Sequence, residues 1–174
     1  MRKFISISLA IFLICSIGFS TDVSAYKKEG WKLPTSTQSY KWGASLKAGV
    51  HKQGWSNAIG SWKSATKNNV KINLFYHSSS VHFLTRWTEK DSKLYGKMII
   101  TTNKKGVVVK YQGYLNDYSV KNSNVAKSTA VHELGHALGI AHTTGTSIMN
   151  SERNRNKMTT PQKDDINGVK NIYK

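Results

Sequence analysis

Three histidines and a glutamate fall within one short run, His132-Glu133-Leu134-Gly135-His136-Ala137-Leu138-Gly139-Ile140-Ala141-His142. On a helix, His132 and His136 leave one face a turn apart, close enough for two imidazole nitrogens to reach one metal ion. Glu133 is rotated from His132 by about 100°, which sets its carboxylate beside such an ion instead of on it. A base that takes a proton from water at the metal has to sit there. Gly139 stops the helix, since glycine accepts the left-handed backbone of a sharp exit, and the returning chain can deliver His142 as a third ligand. Three imidazoles suit zinc and leave its fourth position for water, which separates a catalytic ion from a closed structural one. Zinc in that role lowers the pKa of water to about 7 and polarises a carbonyl. The full pattern fixes five residues, so random composition would supply it in on the order of one in ten thousand chains of this size.

The elements that must position these groups are legible around them. Val125 to Gly139 reads as the helix that carries His132 and His136, with Ser123 or Asn124 as its N-cap. Trp55, Ala58, Ile59, Trp62, Ala65 and Thr66 recur at helical spacing and predict an amphipathic helix with one face on the core. Alternation predicts strands over Val70–Tyr76 and Val81–Trp87, and two more apolar runs, Leu94–Thr102 and Gly106–Leu115, flank a hairpin turn at Asn103-Lys104-Lys105. Tyr40 to Leu46 reads as a first short strand, and residues 26–38 as an arm without periodicity. His51, His77 and His82 have no carboxylate pattern around them and read as surface or hydrogen-bonded histidines.

The N-terminus has the order of a cleaved secretory signal: Met1-Arg2-Lys3, an apolar stretch from Phe4 to Phe19, then Val23-Ser24-Ala25. Residues 1–25 are expected to be removed, leaving one domain over residues 26–174, too short for two cores. The only cysteine, Cys15, would leave with the signal, so the mature domain has no disulfide and depends on packing and bound metal. A cysteine-free secreted domain points to a bacterial exporter. Without Arg2, Lys3 and Asp22 the chain keeps 24 basic and 8 acidic residues, a formal charge of +16. Such a field favours anionic partners, a cell-wall polymer or a membrane surface among them. No fingerprint of a nucleic-acid-binding fold accompanies it.

His132 to His142 resembles the HExxHxxGxxH signature of the metzincin clan of zinc peptidases, and Ser147-Ile148-Met149 looks like the methionine turn that follows it there. Asp164 to Tyr173 is similar to the C-terminal helix of the matrixin branch, with Thr160-Pro161 as cap and first helical residue. The resemblance implies an α+β metzincin-type catalytic domain: a twisted, mostly parallel five-stranded sheet, two main helices and a C-terminal helix. It implies a zinc endopeptidase acting on protein or peptide substrates; with the N-terminal signal, a secreted protein is expected, and it is expected to be a monomer. His132, His136 and His142 hold one Zn2+, Glu133 is the general base, and Met149 is the apolar base beneath the ligands. It further implies that Ser128, one turn before His132, controls the depth of the main specificity pocket, here a roomy one accepting large apolar residues. An aspartate at 164 or 165 would pair with the ammonium of Tyr26 or complement the helix dipole.

Two departures from the branch stand out. The chain has neither the pro-segment nor the cysteine that keep matrixins latent, so secretion in active form is expected. Glu29, Glu89, Asp91 and Asp117, the only carboxylates between the signal and the histidine helix, are too scattered for a calcium site. The competing reading is a basic cell-envelope binding protein that keeps zinc for stability alone. Glu133 argues against it, since a structural ion needs no base.

Overall fold

Two tryptophans seven residues apart tie the helical layer to the rest of the molecule. The computed structural model describes residues 26–174, so the expected signal at 1–25 lies outside the described residues. Helix α1 (Val50–Thr66) buries Gly54, Trp55, Ala58, Trp62 and Thr66. The Trp55 indole donates to the carbonyl of Thr85 and that of Trp62 to the carbonyl of Val131, both at 2.9 Å. These buried N–H groups fix where α1 crosses the sheet and the second helix, and each large apolar side chain so buried contributes roughly 1.5–3 kcal/mol. The helix begins five residues before Trp55, because the polar first turn carries no apolar periodicity to mark it.

The strands are β1 (Lys27–Lys28), β2 (Thr37–Trp42), β3 (Asn73–Tyr76), β4 (Phe83–Trp87), β5 (Gly96–Thr102), β6 (Val108–Asn116) and β7 (Ile140–Ala141). Five form one sheet in the order β3-β2-β4-β6-β5, parallel except that β5 runs antiparallel to β6. The β5–β6 turn falls where expected, closed by the Asn103 side chain accepting from the backbone of Lys105 and Val107. The first strand lies earlier than the expected Tyr40–Leu46. It ends at Trp42 because Gly43 abuts Thr85, where a Cβ would stand 2.5 Å from the Thr85 side chain, and the chain turns there with Leu46 N–H bonded to the Gly43 carbonyl.

Helix α2 (Ser123–Ala137) is capped by Asn122, one residue before the expected caps; its side chain accepts from Val125 N–H at 2.9 Å. α2 packs on α1 and against the sheet edge at β5. Helix α3 (Lys163–Tyr173) starts later than Thr160-Pro161 would have it. Gln162 is its cap, and a reciprocal capping box with Asp165 satisfies two otherwise orphaned N–H groups. No helix among the described residues is long and apolar enough to cross a membrane.

The N-terminal arm is not the free segment its composition suggests. β1 pairs antiparallel with β7, Glu29 N–H bonds the Gly139 carbonyl, and Lys32 bridges to Val107 on the far side. Leu33 then enters the core at 1% exposure. The arm thus straps the exit of α2 to the β5–β6 hairpin, a long-range pairing that leaves no period in its own sequence.

Candidate metal centre

Helix α2 ends at Ala137, and Gly139 follows with φ 92, the left-handed conformation expected of it. A Cβ there would also overlap the Trp31 carbonyl. The chain reverses into β7 and presents His142 opposite the helix. Nε2 of His142 lies 3.1 Å from Nε2 of His132 and 3.2 Å from Nε2 of His136. Tetrahedral Zn–N bonds of about 2.0–2.1 Å would set such nitrogens about 3.3 Å apart.

The other ring nitrogens are held by hydrogen bonds. His132 Nδ1 is 2.8 Å from the Ile148 carbonyl, and His136 Nδ1 is 2.8 Å from the Glu29 carboxylate and 3.0 Å from the Ile140 carbonyl. Both neighbours of His136 Nδ1 are acceptors, so it carries the proton there and turns a bare Nε2 lone pair toward the common point; His132 Nδ1 has the Ile148 carbonyl as its nearer partner, with Arg153 Nη1 3.1 Å away on another side. Burial and the charge of Arg153 hold His132 well below its ordinary value, and burial with the neighbouring His142 pushes His136 down to about 4. Three imidazole nitrogens converging this closely fit a divalent cation. Burial decreases from His132 through His136 to the exposed His142, so the site opens on one side.

Glu133 sits on that open side. It is 6% exposed, and it lines a cleft of about 330 Å³ together with the three histidines and residues of β5. No hydrogen bond is made to its carboxylate among the described residues. Burial pushes it up to about 8, opposed by the charges of Arg153 and Arg155. Gly96, the first residue of β5, touches it closely: a Cβ there would stand 2.6 Å from Glu133 Oε1. The strand bordering the cleft, left open by the sequence, is therefore the edge strand β5.

Met149 is fully buried, and a Cβ on Gly135 would overlap its sulfur. The thioether thus lies against the helix between the two histidines that α2 supplies. The turn that holds it hangs on Asp165, 1% exposed, which accepts from Ser147 Oγ and from Ile148 N–H at 2.8 Å. Asp165 is therefore committed to the methionine turn and to its cap. A buried carboxylate takes the donors closest to it, and the turn supplies them. Tyr26 lays its ring over Gly168, and its hydroxyl accepts from Asn171.

Ser128 differs from expectation. It is fully buried and does not line the cleft. The space its small side chain leaves is filled by Arg153, whose Nε donates to Ser128 Oγ at 3.1 Å and whose Nη2 donates to the Ser128 carbonyl at 3.0 Å. A roomy apolar pocket is thus replaced by a buried guanidinium. Sequence reading also passed over Glu29, which has no local signature, and Arg155. The arginines did leave a trace, since this lysine-rich chain holds only four of them and two stand at 153 and 155.

The remaining histidines are hydrogen-bonded or paired away from the site. His82 Nδ1 accepts from Tyr111 N–H, His77 contacts Ser79, and His51 lies 3.2 Å from Asp117.

A search of curated proteins finds no match to this chain. The matrixin model of the M10 peptidases, by contrast, matches residues 27–174, which take in the arm, the sheet, the three convergent imidazoles and the helix that closes the methionine turn. The chain is a member of the matrixin family, and with it a zinc-dependent metallopeptidase.

Proposed function

We propose that the protein is a secreted endopeptidase that cuts within extended segments of its substrates, with Glu133 as the general base. The observation that carries this reading is a buried carboxylate without a hydrogen-bond partner, set between three converging imidazoles and the free edge of an antiparallel strand. An extended peptide can add to β5 by backbone hydrogen bonds, which brings a peptide carbonyl past Glu133 without requiring a chain end.

His132, His136 and His142 would hold the zinc ion, which supplies Lewis-acid chemistry by polarising a carbonyl and acidifying water. Glu133 removes the proton from the attacking water and returns it to the departing amine. Its elevated proton affinity suits both transfers, since a base is most effective when its pKa lies near the working pH. The Glu29 carboxylate and the Ile148 carbonyl keep the imidazoles in the binding tautomer. The apolar stretch and small residues of the first 25 positions support export, and the charge of +16 on the remainder supports retention at an anionic wall after it.

The test is Glu133→Ala, assayed for zinc content and for digestion of an unfolded protein with and without chelator. Full zinc with cleavage reduced at least about 100-fold is expected, the scale of a general base. Undiminished turnover would remove Glu133 from the role. Absent digestion by the zinc-loaded wild type would favour the zinc-stabilised binding protein instead, and chelator-insensitive digestion would remove the metal from the reaction.

A further inference from the structure

The wall of the cleft beyond Glu133 has more positive charge than the zinc chemistry calls for. Arg153, Arg155, Lys93 and Lys97 line the cleft with only two carboxylates, Glu29 and Glu133. Glu29 is bound to His136, and Glu133 is taken up as the base in the reading above.

The two arginines are built into the fold. Arg153 is 6% exposed and fixed by Ser128 and by the Asn150 carbonyl. Arg155 lies with its guanidinium 4.3 Å over the ring of Tyr95, and its Nη2 donates to the Ser151 carbonyl. Its Nε–H is buried and has no hydrogen-bond partner. Among the described residues neither arginine forms an ion pair with a carboxylate. Burial and then Arg155 weigh against the charge of Arg153, and the Glu133 and Asp165 carboxylates that favour it act from beyond ion-pair distance. A buried N–H left unpaired adds to that cost. Groups held at such expense in a cleft mark a binding function, and the planar fork of arginine matches a carboxylate.

Resting on the endopeptidase reading above, we infer that this part of the cleft is a subsite for an acidic side chain of the substrate, with Arg155 as the residue that binds its carboxylate. Arg153 backs the subsite as a fixed, buried cation, and Tyr95 holds the Arg155 guanidinium flat. The enzyme therefore selects segments carrying Asp or Glu within a few residues of the cleaved bond.

The experiment profiles cleavage sites of the zinc-loaded wild type in a mixed peptide library, then compares matched peptides with Glu, Gln or Lys at the selected position. Enrichment of Asp and Glu at one position is expected, with the Glu/Gln ratio of kcat/KM at tenfold or more. A charge-assisted hydrogen bond is worth about that much. In Arg155→Ala that ratio falls toward one, in Arg155→Lys it is partly kept, and in Arg155→Glu the preference turns to Lys. An apolar preference in the wild type, or a Glu/Gln ratio untouched by Arg155→Ala, overturns the inference while leaving the peptidase intact. Failure of the wild type to cut any peptide strikes the endopeptidase reading itself.

Discussion

Glu29 Oε1 lies 2.8 Å from Nδ1 of His136, across 107 residues of sequence. The arm that carries Glu29 is held by its pairing with β7, so the carboxylate that orients one zinc ligand comes from the strap that closes the site. Burial raises the pKa of Glu29, an effect the imidazole N–H offsets when it donates to the charged form.

Glu29→Ala is expected to weaken zinc binding by about 10-fold, the low end of the range for such supporting groups. The Ile140 carbonyl remains 3.0 Å from the same nitrogen and limits the loss. Competition with a fluorescent chelator measures it, and zinc affinity equal to wild type would deny Glu29 this part.

Asp165→Ala should be the most destabilising single change near the site. It strips acceptors from Ser147 Oγ, Ile148 N–H and Gln162 N–H, two of them fully buried. At roughly 1–3 kcal/mol for each orphaned buried donor, a loss of about 3–5 kcal/mol is expected. Urea midpoints at constant slope report it. Zinc affinity should fall as well, because the Ile148 carbonyl that holds His132 belongs to the same turn.

Gly96→Ala tests the approach of β5 to the base. The added methyl would stand 2.6 Å from both Glu133 Oε1 and the Thr129 methyl, so the carboxylate must move. A displacement near 1 Å at reacting groups costs on the order of 100-fold. The expected outcome is kcat/KM down about that much with zinc content unchanged; a fully active Gly96→Ala enzyme would show that Glu133 is free to shift.

The metal-free protein should lose stability on both sides of about pH 5–6. His136 stands at about 4 against an ordinary 6.5, so the unfolded chain takes the proton first and stability drops as pH falls from about 6.5 to 4. Glu133 stands at about 8 against 4.5. The unfolded chain therefore releases that proton first, and stability drops as pH rises from about 4.5 to 8. The windows overlap between about pH 4.5 and 6.5, where the opposite slopes largely cancel, so the loss left to Glu133 above about pH 6.5 is on the order of 2 kcal/mol. Melting curves of chelator-treated protein trace both, and Glu133→Gln should flatten the alkaline limb alone.

The convergence of the three histidines with Glu133 beside them was readable because α2 fixes His132, Glu133 and His136 by period alone, and Gly139 fixes the exit that returns His142. The strands from Val70 onward were readable for the same reason, since alternation is a local property. Their boundaries were less so: β2 ends where Gly43 meets Thr85, and α3 begins where Gln162 and Asp165 cap each other. Those are contacts that alternation does not encode.

By itself the sequence determined the metal chemistry, because ligand spacing on one helix is set by the backbone period. Tertiary structure decided what surrounds it: that Glu29 reaches His136, that Asp165 carries the methionine turn, that β5 borders the cleft, and that Arg153 fills the space beside Ser128. Each of these joins groups distant in the chain, and their meeting depends on how buried donors and acceptors find partners once the layers pack.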